Sequence, residues 1–202
     1  MIIWLASYPK SGNTWVRIFI NNLLFSHEGN SNINNIKIGQ FPNKKHFTSM
    51  INDFSHIEKI LENYINAQDL INLDENLKFF KTHSANWRSN VSSFTNTTNT
   101  HGVIHIVRDP RNIITSLKNH FSKNDYDSVL NFMTNEKKFI GNKKVEREFE
   151  IPTLISSWSN HYNSWKKIIE NNLLIKYEDL LKEDHYEFYK IVDFLQTDLK
   201  KN

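Results

Sequence analysis

The sequence predicts an α/β fold, with a central parallel β-sheet flanked by α-helices in three layers. Three observations predict it. Short apolar-rich runs recur at Ile2–Ala6, Leu77–Phe80, Val103–Val107 and Leu173–Tyr177, and such runs suit strands buried on both faces. Segments with apolar residues at helical spacing separate them, and strands alternating with helices imply parallel pairing through right-handed crossovers. The 202 residues are 39% hydrophobic and 13% aromatic with only 5 Gly and 4 Pro. That composition suits one globular domain over residues 1–202 and excludes a disordered or collagen-like chain.

The elements follow in order. Ile2–Ala6 reads as the first strand and Ser7–Gly12 as a loop. Trp15, Ile18, Phe19 and Leu23 recur at helical spacing, giving a helix from Asn13 to about Phe25. Residues 26–49 are polar and read as loop; Ile51 to Ile65 reads as helix. Leu77–Phe80 is the second strand, ending at Lys81-Thr82-His83. A Ser/Thr/Asn-rich connection spans 84–100. The third strand, Val103–Val107, runs into Arg108-Asp109-Pro110, and a helix follows from Arg111 to about Phe121, with Pro110 near its start, where proline is tolerated. Residues 122–150 carry both charge signs with weak periodicity and read as a surface excursion or lid. Pro152 begins a helix carrying Leu154, Ile155, Trp158, Tyr162 and Trp165. Leu173–Tyr177 is the fourth strand and Glu187–Leu195 the last helix. In such sheets ligands sit beyond the carboxyl ends of the strands. Three of the four ends hold the residues of chemical interest: Ser7–Thr14, Lys81–His83 and Arg108.

Composition excludes several chemistries. With 0 Cys there are no disulfides, Cys-ligated zinc sites, Fe–S clusters or thiol nucleophiles. A net charge of +3 without basic clustering does not suggest a nucleic-acid partner. No run approaches 18 apolar residues, and the start lacks the basic region of a signal peptide. The expectation is a cytoplasmic protein with no membrane partner. No His/Glu pair has metal-ligand spacing, so no metal is expected.

Tyr8-Pro9-Lys10-Ser11-Gly12-Asn13-Thr14-Trp15 joins a strand to a helix, where backbone N–H groups and the helix dipole make an anion site. Gly12 permits a positive φ and close approach of a phosphate. Lys10 adds a full charge, Ser11 and Thr14 add hydroxyls, and Trp15 offers a flat face to a base. The alternative is an ordinary strand-to-helix turn. The fold is thus P-loop-like, but the loop is not a Walker A motif, which places its Lys directly after the second Gly: Lys10 precedes Gly12, and no Gly stands five residues upstream.

Tyr8-Pro-Lys-Ser-Gly-Asn-Thr-Trp15 resembles the 5′-phosphosulfate loop of the cytosolic-type sulfotransferases, with Asn13 in place of a usual Thr. Arg108-Asp-Pro-Arg-Asn-Ile-Ile-Thr-Ser116 resembles that family's 3′-phosphate segment, and Lys81-Thr82-His83 its Lys-x-His. Ser157-Trp158 with His161 and Trp165, then Ile175-Lys-Tyr-Glu-Asp-Leu180, resemble two later segments. Ser84-Ala85 replaces the usual Leu-Pro. Family members continue for several tens of residues past the equivalent of Asn202 and there carry a second, basic 3′-phosphate loop, so weak nucleotide binding is expected here.

The resemblance implies sulfuryl transfer from 3′-phosphoadenosine 5′-phosphosulfate (PAPS), leaving 3′-phosphoadenosine 5′-phosphate (PAP), to a hydroxyl or amine on a small-molecule or glycan acceptor, in a chain that could be a homodimer. It assigns Lys10, Ser11, Gly12, Asn13, Thr14, Trp15, Arg108, Ser116 and Tyr177 to the nucleotide, and His83, Lys10 and Lys81 to catalysis. His83 suits a general base because imidazole titrates near working pH. Lys81 either supports the leaving charge or is a solvated strand-end lysine. Arg108 either holds phosphate or pairs with Asp109 or Glu178. Ser116 is a phosphate donor or a plain helical serine; Tyr177 contacts adenine or only packs. His105 reads as structural, and His101, His120 and His161 as surface or supporting residues. The Lys137-Lys138 and Lys143-Lys144 pairs read as solvated surface. A Mg²⁺-dependent kinase-like enzyme and a non-catalytic PAP/PAPS-binding protein are the other readings.

Overall fold

The computed structural model describes residues 1–26, 35–120, 125–141, 151–166 and 171–199. Its organising element is β1 (Ile2–Ser7), every residue of which is buried. A strand without a polar face belongs in the middle of a sheet, and β1 takes that place. β3 (Lys78–Thr82) pairs with it in parallel on one side, Ile2 opposite Lys78. β4 (Thr100–Val107) pairs in parallel on the other, Ser7 opposite Ile106. β2 (Gly39–Gln40) adds to β3, and β7 (Asn172–Lys176) to β4, both parallel. The order is β2-β3-β1-β4-β7. The chain leaves β1 for the edge strand β2, returns through β3 to the side of β1, then crosses to β4 and β7, so the direction reverses at β1.

Alternation along β1 divides the core. Ile2, Trp4 and Ala6 face an aromatic cluster of Phe41, Phe47, Tyr64, Phe94 and Trp165. Ile3 and Leu5 face Val16, Ile20, Ile104, Ile106, Ile175, Ile191 and Leu195. The first face is covered by α2 (Ile57–Glu62), α3 (Tyr64–Ile71) and α6 (Trp158–Lys166). The second is covered by α1 (Asn13–Phe25) and α8 (Tyr186–Leu199). The expected three layers are therefore present, with helices on both faces of a parallel sheet.

Several boundaries differ from expectation. Helix 51–65 starts later, at Ile57, because Asp53 accepts from the Ser55 N–H and closes a turn there. It breaks at Asn63 and resumes as α3 to Ile71. The segment from Pro152 begins with β6 (Thr153–Leu154), paired antiparallel with β5 (Phe139–Ile140). Ser156 then takes a left-handed conformation, and the Ser157 hydroxyl accepts from the Asn160 N–H at 3.2 Å, so α6 starts only at Trp158. Within the expected excursion 122–150, α5 (Tyr126–Thr134) buries Val129 and Met133 against Ile113 and Leu117 of α4 (Pro110–His120). It is an integral helix. The Lys143-Lys144 pair and the end of the expected helix at Phe121 lie outside the described residues.

Candidate active site

A cavity of about 740 Å³ opens at the carboxyl ends of β1, β3 and β4. Its wall includes Lys10, Gly12, Asn13 and Thr14 after β1, Lys81 and His83 at the end of β3, and Arg108 after β4, with Ser116 and Tyr177 completing that side. Ser11 and Trp15 are not part of the wall. Ser11 is buried, its hydroxyl without a partner. Trp15 lies on the outer side, 6.3 Å from the Tyr177 ring and 5.6 Å from that of Phe188.

The loop after β1 is held by its own backbone. Lys10 has φ 68 and Gly12 φ 92, and the Ser11 N–H donates to the Tyr8 carbonyl at 3.3 Å. Only glycine fits at position 12 for a second reason: a Cβ there would overlap the Tyr177 ring at Cδ2. No side chain caps α1, and no acidic residue occupies its first turn, so its amide dipoles face the cavity without a protein anion. Asn13 is a brace. Its Nδ2 donates to the Leu5 carbonyl at 2.8 Å and to the Ser7 hydroxyl at 3.1 Å, fastening α1 to β1.

Arg108 reaches back across this loop. Its Nη1 donates to the Lys10 carbonyl at 3.0 Å, and its guanidinium lies 4.3 Å from the centre of the Tyr177 ring. Its Nε is buried with no partner among the described residues. The carboxylates considered as partners are engaged elsewhere: Asp109 pairs with Arg111, and Glu178 accepts from the Asp109 N–H and Asn112. Tyr177 therefore wedges between Gly12 and Arg108, fixing two loops at once.

Beyond the end of β3, His83 Nδ1 lies 2.8 Å from the Ser7 carbonyl oxygen. A carbonyl only accepts, so Nδ1 carries the proton and Nε2 keeps the lone pair. Burial, reinforced by Lys81 and Arg17, lowers the His83 pKa to about 3, although the Ser7 carbonyl pulls it upward, so this imidazole titrates well below working pH and not near it as expected. Burial also lowers Lys81 to about 8, with Arg17 adding to the effect.

Sequence reasoning left three residues without a definite place in the site. His161, read as a surface or supporting residue, is buried. It stands edge-on to Tyr8 at 5.6 Å and 6.2 Å from His105. Burial, then His105 and His83, hold it well below the usual imidazole range. Its spacing four residues before Trp165 already puts it on the buried face of α6. Lys138 is half-buried rather than solvated and joins the cavity wall with Phe132, Phe139 and Ile140. His120 lines the same wall. Among the described residues, no group of three His, Asp or Glu side chains is placed to hold a metal ion.

The carboxyl ends of a parallel sheet thus gather an uncapped helix N-terminus, an arginine and a histidine around one cavity, the layout of a P-loop-like α/β fold. Residues 2–202 match the family model of the sulfotransferase domain, and the chain belongs to that family. It is 23% identical over 203 residues to Sulfotransferase 1E1 of Rattus norvegicus, covering 96% of this chain and 58% of that protein. Among solved structures it is similar to mouse sulfotransferase SULT7A1 complexed with PAP, with a TM-score of 0.56, 21% identity and coverage of 96% of this chain and 56% of the other. It is also similar to retinol dehydratase in complex with androsterone and inactive cofactor PAP, with a TM-score of 0.57, 20% identity and coverage of 96% and 59%. The chain thus spans just over half the length of these relatives.

Proposed function

We propose that the protein is a PAPS-dependent sulfotransferase acting on a hydroxyl acceptor. One observation carries the reading: a single cavity joins an anion-binding loop to a neutral histidine whose Nε2 keeps its lone pair. The residues fit an anionic nucleotide, because among the described residues α1 has no protein anion at its N-terminus and the Arg108 Nε is buried without a partner. Lys10, Gly12, Asn13 and Thr14 would bound the 5′-phosphosulfate, Arg108 and Ser116 the 3′-phosphate, and Tyr177 the adenosine side. Ser11 and Trp15 shape the loop and its outer face.

PAPS supplies a sulfuryl group on a phosphate leaving group. His83 Nε2 takes the acceptor proton while the acceptor oxygen bonds to sulfur and the sulfur–phosphate oxygen bond breaks. Lys10 and Lys81 stand where negative charge grows on the leaving phosphate, and such preorganised charge is worth most in a water-poor site. The loop order favours transfer without a divalent metal. Cytoplasmic location, a small-molecule acceptor and association into a homodimer belong to the same reading.

The test is calorimetry with PAP and AMP beside turnover with PAPS. PAP should bind more tightly than AMP, and Arg108→Ala should bring the two together. Turnover should persist in EDTA. Equal affinity of the unaltered protein for PAP and AMP would overturn the reading, and activity that requires Mg²⁺ would favour a kinase-like enzyme.

A further inference from the structure

We propose that the acceptor carries an anionic group and that Lys138 receives it; this rests on the sulfotransfer reading above. The ribbon of β5 and β6 fixes where Lys138 stands. The Leu154 carbonyl of β6 accepts from the Ala85 N–H at 2.9 Å and from the Ser84 hydroxyl at 3.3 Å. Those residues directly follow His83. Phe139 of β5 pairs with Leu154, and the Lys138 carbonyl accepts from Ile155 N–H at 2.9 Å and Ser156 N–H at 3.1 Å. Backbone bonds therefore tie Lys138, through β6, to the segment that directly follows His83.

The surroundings of its ammonium group point to the occupant. Lys138 Nζ lies 4.6 Å from the centre of the Phe132 ring, and Phe132, Phe139 and Ile140 make this wall apolar. A cation on an apolar wall loses hydration that a ring face restores only in part. Among the described residues no carboxylate lines the cavity. The donor's phosphates have their own cations in Lys10, Lys81 and Arg108, all at strand ends. Lys138 is thus placed to meet an anion on the acceptor, whose ring or chain lies along the apolar residues and whose hydroxyl reaches His83. The same charge repels a cationic acceptor.

The experiment uses three phenols of similar size: 4-hydroxyphenylacetate, 4-ethylphenol and tyramine. Affinity for the PAP-loaded protein is measured by calorimetry and kcat/KM with PAPS. The anion should exceed the neutral phenol by about tenfold or more, the range of a charge-assisted hydrogen bond, and tyramine should be poorest. Lys138→Gln should collapse the ratio of anion to neutral phenol, and Lys138→Glu should invert the order of anion and amine. Equal affinities, or no binding of any phenol to PAP-loaded protein, would overturn the proposal while leaving the nucleotide reading intact. A Lys138→Gln variant that loses PAP affinity about tenfold with AMP affinity unchanged would move Lys138 to the 3′-phosphate and also overturn it. Absence of PAP binding to the unaltered protein removes the reading and the proposal together.

Discussion

His83 and Lys81 face the same cavity with pKa values moved down by the same cause, and the two shifts act at opposite ends of the working pH range. His83, lowered to about 3, is neutral throughout pH 5–8, so the proposed base needs no deprotonation step there. Lys81, lowered to about 8, loses its charge as pH rises through that value. The expected kcat/KM profile is flat from pH 5 to 7 and falls above about pH 8. Lys81→Arg should carry the plateau further upward, because guanidinium stays charged; an unmoved alkaline limb would remove Lys81 from the chemistry. His83→Ala should lower kcat by about 10²–10⁴-fold with PAP affinity nearly unchanged in calorimetry. Gly12→Ala joins a left-handed φ of 92 to overlap with the Tyr177 ring. A loss of about 1–3 kcal/mol is expected, read as a fall in Tm of about 3–9 °C, together with weakened PAP binding.

Secondary-structure elements were legible in the sequence where their signal was long or sharply bounded. β1 announced itself because Ile2–Ala6 is an unbroken apolar run, and α1 because its apolar residues recur at helical spacing after Gly12. The phosphate-loop side of the site came with them, since Lys10 and Gly12 are fixed by the strand-to-helix join. The ribbon of β5 and β6 was not legible: two-residue strands carry no period, and each exists only through its partner. Lys138 was hidden for that reason, as was the late start of α6. Burial of α5 rests on Val129 and Met133, which lie four residues apart on one face. Placing an acid there, as in Met133→Asp, leaves a buried carboxylate without a partner. The expected result is a cooperative loss of several degrees in Tm and of acceptor affinity, while Thr134→Asp, on the exposed side, changes neither.

Across the whole molecule, buried neutral imidazoles make stability depend on acid. His105 is lowered to about 4 by burial, and His161 is held well below its ordinary 6.5. Both are 1% exposed. His46 is likewise lowered to about 4. A group with a folded pKa below its unfolded one binds more protons when unfolded, so its contribution is complete above about 6.5 and is lost as pH falls toward 4. Each such histidine gives a slope of about 1.4 kcal/mol per pH unit in that window, and His105 with His161 about twice that. The urea midpoint should therefore drop steeply between pH 6.5 and 4.5, and His105→Gln should flatten the slope. A midpoint independent of pH in that range would show that these imidazoles accept protons in the folded state.

The central position of β1 also bears on how the chain is made. Its partners come far downstream: Ile2 lies opposite Lys78 on one side and Thr100 on the other. On a ribosome adding about 5–20 residues per second, β1 leaves the tunnel several seconds before either neighbour exists. During that interval Ile-Ile-Trp-Leu-Ala is an extended apolar strand with both edges open, a form that invites pairing with another nascent chain. Arrested chains that end before β4 should accordingly be protease-sensitive throughout and held by chaperones. Protection of β1 should appear only once Thr100–Val107 has emerged, so the strand that starts the sheet waits for two downstream partners before both its edges are closed.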